Sequence, residues 1–247
     1  MPKFFFKYSN ILIFLLLRLV TLPPHRRDIT FPINLNITTM EKNLFELLAS
    51  AYEEPLPYQL QRQLLELMQE DTFRKNEIVL QKGKINDRLY FIQRGLLRAY
   101  SVEDGVEETT WLRGEGEFVV AIPSFYDQSP SDQSIHALER TDVFSLTYSQ
   151  FYSTLKKHLE FAYIGFKLQT AVLLEWNERG LKLKKLDMLR RLEWLYDHHP
   201  NLFHRTPGIP DKYLASYLGM TPEHFSKIKA NFFRLSGNSA PVNGKAS

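Results

Sequence analysis

Cysteine is missing from all 247 residues, which rules out disulfides, thiolate zinc sites, cysteine-held iron–sulfur clusters and thiol switching. A long apolar stretch is missing too. The run Ile11–Leu17 is closed by Arg18, too soon for a bilayer-spanning helix, and no small-x-small cleavage site follows to make it a secretory signal. Nor is there a large excess of charge of one sign, the formal net charge being +3.

What is present is an apolar content of 44%, enough for one substantial core and one small one in a globular, cytoplasmic protein. The charge is unevenly divided. From Glu41 to Glu160, 13 Lys and Arg stand against 20 Asp and Glu, and from Leu181 to Leu235 the count is 10 against 5. An acidic front and a basic back point the C-terminal part toward a polyanion, a solvated charged face being the plainer explanation. The segment Arg26–Thr39 has no helical period, and residues 1–39 read as a leader outside the fold, with translation starting at Met40. A peripheral membrane anchor is the competing reading.

Between Glu41 and Met68, Leu44, Leu47, Leu48, Leu60, Leu64, Leu65 and Met68 repeat a helical face, interrupted by Pro55-Leu56-Pro57. Two short helices are predicted there. Short β-branched and aromatic runs follow at Ile78–Leu80, Leu89–Ile92, Leu96–Tyr100, Thr109–Leu112, Phe118–Ile122 and Ser134–Thr147, punctuated by Gly83, Gly95, Gly105 and Gly116. That rhythm predicts a compact antiparallel barrel or sandwich. From Ser149 the period turns helical. Phe161, Ile164, Leu168 and Ala171 form a 3-4-3 seam suited to a dimer interface, with an intramolecular core helix the alternative. Gly180 marks a hinge before Leu181–His198.

Several chemistries are set aside on residue type and spacing. His136 is the only histidine between Thr72 and Thr147, whereas a metalloenzyme barrel needs several converging on one ion. His198 and His199 are adjacent, so their rings diverge on a helix that Pro200 ends, and with His204 they make a poor metal set. In Gly114-Glu115-Gly116-Glu117 two carboxylates would repel a phosphate, so the turn is no phosphate cradle. Trp111, Trp176 and Trp194 read as packing residues. The chain is therefore expected to be no enzyme and to hold no metal or cofactor.

The stretch from Ile209 reads helix, tight turn, helix. Asp211 is placed to cap a first helix through Tyr217, Gly219 permits the turn, Thr221 is a good N-cap and Pro222 suits the first helical position. Leu214, Leu218, Phe225 and Ile228 form the buried side, and Ala215 lets the helices approach. Thr221, Pro222, Glu223, His224, Ser226, Lys227 and Lys229, with Lys212 on the first helix, are the DNA-binding candidates. Lysine donates to guanine edges or phosphates, and glutamate accepts from a cytosine amine. An ordinary helical hairpin needs the same caps but no basic outer face.

From Glu41 to Phe232 the chain resembles the Crp/Fnr family of regulators. The resemblance lies in KGKINDRLYFIQRGLLRAY from Lys82, GEFVVAIPSF from Gly116, SIHALE from Ser134 and LASYLGMTPEHFSKIK from Leu214. It implies an α+β architecture: an antiparallel β-roll sensor (a double-stranded β-helix, jelly-roll-like), a long dimerisation helix, and a small C-terminal helix-turn-helix. The implied divisions are 40–150 for the roll, 151–180 for the dimer helix and 181–235 for the DNA-binding part, with 236–247 a disordered tail. The implied partners are double-stranded DNA with a palindromic site, a second copy of the chain, RNA polymerase and a small-molecule effector.

The sequence departs from the family where cyclic AMP would bind. The family's Gly-Glu and Arg-Ser positions are here Val120-Ala121 and Gln133-Ser134, so two charged ligands are missing, a loss of roughly a hundred- to ten-thousand-fold in affinity. Val120, Ala121, Ile122, Gln133 and Ser134 remain the effector-pocket candidates, for an effector other than cyclic AMP or for none. The tail shows no β-wing, and Lys227 stands where the family often has a guanine-gripping arginine, a point charge in place of a fork. These departures leave open a ligand sensor or scaffold that has kept the fold and lost operator recognition.

Overall fold

A computed structural model describes residues 39–205 and 208–235. The expectations for the leader up to residue 38 and for the tail from 236 lie outside them. Helices α1 (Thr39–Tyr52) and α2 (Tyr58–Leu67) come first. In α1, Leu44, Phe45, Leu48 and Ala49 are buried, and in α2 Leu60, Gln61 and Leu64, the i, i+4 stripes of helices packed on one side. Gln61 is tolerated inside because its Nε2 donates to the Leu56 carbonyl at 2.7 Å.

Eight strands form the roll: β1 (Gln69–Phe73), β2 (Ile78–Leu80), β3 (Arg88–Arg94), β4 (Leu96–Glu103), β5 (Val106–Gly114), β6 (Phe118–Val119), β7 (Ser134–Ala137) and β8 (Thr141–Thr147). They make two antiparallel four-stranded sheets, ordered β1-β8-β3-β6 and β2-β7-β4-β5. The roll's interior is Tyr90, Ile92, Leu97, Ala99, Trp111, Val119, Ala121, Ile135, Ala137 and Val143 with Leu80. The first half of strand β4 is buried on both faces. Leu97 and Ala99 point into the roll, while Leu96 joins the core of the C-terminal helices, as a two-residue period requires.

Two local expectations change. The strand expected at Phe118–Ile122 stops at Val119, and Ile122 instead opens a short helix, α3 (Ile122–Asp127), with Pro123 in its first turn. Proline's fixed φ and missing N–H suit that place. Strand β1 is polar and carried no apolar signal; it forms by pairing with β8, Gln69 opposite Ser145 through Phe73 opposite Thr141.

Helix α4 (Tyr148–Lys157) opens with a reciprocal capping box: Gln150 N–H donates to Thr147 Oγ1 at 3.3 Å, and Thr147 N–H to Gln150 Oε1 at 2.8 Å. The long helix α5 runs Leu159–Lys185 and passes Gly180 unbroken. The helix breaks instead at Leu186, after which Asp187 caps α6 (Met188–His198) by accepting the Arg190 N–H at 3.0 Å. A 3-10 turn at Pro200–Leu202 precedes α7 (Asp211–Tyr217) and α8 (Pro222–Leu235). One continuous apolar core joins Leu96, Leu112 and Leu138 of the sheet region to Leu192, Trp194, Leu195, Phe203, Leu214, Leu218, Phe225 and Phe233.

Candidate effector cavity and nucleic-acid interface

Between the roll and α5 lies a cavity of about 110 Å³. Trp111, Phe118, Val120 and Ile122 form the roll's side, and Ile164, Leu168, Val172 and Trp176 the helix's. Among its lining residues Arg113 is the one charged group, and it is already committed. Its Nη1 and Nη2 donate to both Glu175 oxygens at 2.9 and 2.8 Å, and Nη1 also to Glu117 at 2.9 Å. The wall thus presents apolar surface with its charge neutralised, a match for an uncharged apolar molecule and a poor one for a phosphate.

Of the five effector-pocket candidates, Val120 and Ile122 line this cavity. Ala121 is fully buried in the roll, its N–H donating to Asn86 Oδ1 at 2.6 Å. Gln133 and Ser134 are engaged elsewhere: Gln133 accepts the Thr110 hydroxyl at 2.7 Å, and Ser134 Oγ accepts the Lys82 N–H at 3.0 Å. Trp111 and Trp176, two of the three tryptophans read as packing residues, both line this cavity.

The cavity wall is tied to the C-terminal helices. One turn beyond Glu175, Arg179 donates to the Thr110 carbonyl at 2.8 Å and to the Tyr217 carbonyl at 2.7 Å, with its guanidinium 3.8 Å from the Tyr217 ring centre. The Thr109 N–H donates to Ser216 Oγ at 2.8 Å. Arg98, only 1% exposed, has its guanidinium 3.9 Å from the Tyr213 ring centre and holds Glu107 at 2.7 Å and Thr109 at 2.9 Å.

His136 lies against this junction, its ring 5.1 Å from Tyr100 and 5.8 Å from Tyr213. Burial, then the nearby Arg98 and Lys212 charges, outweigh Glu107 and push its imidazole down to about 4. Its Nε2 has no hydrogen-bond partner among the described residues. The unfolded chain accepts a proton near pH 6.5 that the folded protein refuses, so this contribution to stability is full above about pH 6.5 and is lost as pH falls toward about 4. The thermal midpoint is expected to drop across that window, and His136→Gln to drop less. Equal slopes for the two proteins would refute the assignment.

Between α7 and α8, Gly219 adopts φ +65°, the left-handed turn that a side chain would strain. Thr221 caps α8, its Oγ1 accepting the His224 N–H at 3.3 Å. Thr221, Pro222, Glu223, His224, Ser226 and Lys227 are exposed, as is Lys212. Lys229 departs from the expected outer face: it is 6% exposed and its Nζ donates to Asp211 Oδ1 at 2.7 Å. Asp211 itself is the first residue of α7, after Pro210 at the N-cap position, and makes no cap.

The 3-4-3 seam is likewise redistributed. Phe161 and Ile164 are buried within the chain and line the cavity with Leu168, while Ala171 is exposed. The other side of α5 exposes Tyr163, Phe166, Leu173, Leu174 and Leu181, with Leu173 64% and Leu174 54% exposed. The sequence carried this second stripe, but the first masked it.

This is the architecture of an antiparallel β-roll joined through a long helix to a small unit of C-terminal helices. The cyclic nucleotide-binding domain family matches residues 70–158, and solved structures of low sequence identity share the fold. FixK2 from Bradyrhizobium japonicum superposes with a TM-score of 0.60 at 15% identity, over 69% of this chain and 86% of that one. The c-di-GMP-responsive global regulator CLP from Xanthomonas campestris gives 0.59 at 16%, over 76% and 97%. A CooA mutant from Carboxydothermus hydrogenoformans gives 0.56 at 18%, over 77% and 85%. No curated protein matches the sequence. Among the described residues, no helix is long and apolar enough to cross a membrane.

Proposed function

We propose that the protein is a DNA-binding transcription regulator of the Crp/Fnr type, acting as a homodimer and sensing an apolar effector other than cyclic AMP. The observation that carries this reading is the two-helix unit of α7 and α8, tightly turned, capped and seated on the roll, with Glu223, His224, Ser226 and Lys227 turned to solvent. Those groups suit phosphates and base edges in a major groove. The exposed apolar stripe of α5 supports pairing with a second copy, which would give two reading helices for a palindromic site. The cavity's apolar wall supports a neutral effector the size of a small aromatic or short alkyl group.

One observation favours a sensor or scaffold without operator recognition. With Lys229 turned inward, Lys227 is the single exposed lysine in the first two turns of α8. Capture of genomic DNA fragments by the full-length protein, repeated with Lys227→Ala and Glu223→Ala, separates the two. Recovery of a palindrome weakened by both substitutions, with affinity falling steeply as salt rises, is expected. Retention of nothing, or of all fragments equally, would favour the sensor. Calorimetry with cyclic AMP is expected to detect no binding at micromolar concentrations; a micromolar dissociation constant would overturn the effector assignment.

A further inference from the structure

The buried lysine of α8 calls for a role. Lys229 stands four residues after Phe225 and four before Phe233, both of which are essentially buried, so the helical repeat places it on the packed face. A charge there is costly unless paired. Its partner comes from the other helix: Asp211 Oδ1 accepts Lys229 Nζ at 2.7 Å, and Asp211 Oδ2 accepts the Ser226 hydroxyl at 3.4 Å. One carboxylate at the start of α7 thus holds α8 at two points about one turn apart. Helix α7 is in turn fastened to β5 through Ser216 and stacked on Arg98 through Tyr213.

We propose that the Asp211–Lys229 ion pair is a strut that sets the angle of α8 on α7, Lys229 being a positioning residue that does not touch DNA. This deepens the reading of α8 as the DNA-contacting helix and rests on it. A phosphate contact and a strut leave different signatures, because each phosphate neutralised contributes about one to the slope of log affinity against log salt.

The test uses the full chain and a fluorescent duplex of mixed sequence, titrated at several salt concentrations, with Lys229→Met, Asp211→Asn and the double variant. Each single substitution is expected to weaken binding by about tenfold with the wild-type salt slope, and the double to bind no worse than either single. A slope reduced by about one in Lys229→Met would make Lys229 a phosphate ligand and overturn the proposal, and so would additive losses in the double. Should Lys229→Met fail to fold, Asp211→Asn carries the test, since it leaves the lysine in place; wild-type affinity in that variant would overturn the strut. Absence of binding by the wild type at low salt would instead overturn the DNA reading. The thermal midpoints of the same four proteins would then still report whether the two side chains are coupled.

Discussion

Glutamate at both Leu173 and Leu174 is expected to yield a folded monomer whose affinity for a palindromic duplex is about a hundred- to ten-thousand-fold lower than that of the parent, the range that linking two sites contributes. Both side chains are more than half exposed, so the substitutions cost the isolated chain little. In a paired helix face they would bury two charges per copy without partners. Sedimentation and duplex binding measured on the same sample check both halves. A variant that remains dimeric would move the interface off this stripe. A monomer that binds as tightly as the parent would detach DNA binding from dimerisation.

Gly95→Ala is expected to be the most damaging single methyl addition among the described glycines. The residue adopts φ +111° between β3 and β4, and a Cβ there would lie 2.6 Å from Thr141 Cα and 2.7 Å from the Arg140 carbonyl oxygen. Neither neighbour can swing aside. Thr141 is fully buried, and its hydroxyl accepts the Leu96 N–H at 3.2 Å and donates to the Glu139 carbonyl at 3.0 Å. Backbone strain and overpacking together amount to roughly 3–5 kcal/mol, equivalent to a fall of roughly 10 °C in thermal midpoint for a chain of this size. Gly105→Ala is the matched control: it too has positive φ, +78°, but open space around the added atom, so its loss should be the strain alone. Equal midpoints for the two variants would show that the close approach at Gly95 is relieved in solution.

What could be read from the sequence was what local chemistry decides. The turn at Gly219, the Thr221 cap and the glycine-punctuated strands depend on neighbours in the chain, and each appears where its residue types require. The faces of α5 were harder. Phe161, Ile164 and Leu168 on one side and Tyr163, Phe166 and Leu173 on the other are both apolar, and periodicity alone does not say which meets the roll. The cavity could not be anticipated either, because Trp111 and Trp176 belong to elements far apart in sequence. Positions carried over by resemblance, such as Gln133 and Ser134, indicate where a family ligand sits, not where this chain leaves space. Lys229 was legible by spacing: its four-residue step from Phe225 marks the packed face, whatever its charge.

The core shared by the sheet and the C-terminal helices bears on how modular this protein can be. Leu96, Leu112 and Leu138 share a core with residues of the C-terminal helical region, among them Leu192, Phe203 and Leu214. Cutting the chain after α5 would strip both parts of apolar cover at once. A chimaera carrying another protein's C-terminal helices would have to match this wall side chain for side chain. Roll and C-terminal helices are therefore not interchangeable cassettes, and a change of sequence in one is constrained by the shape of the other.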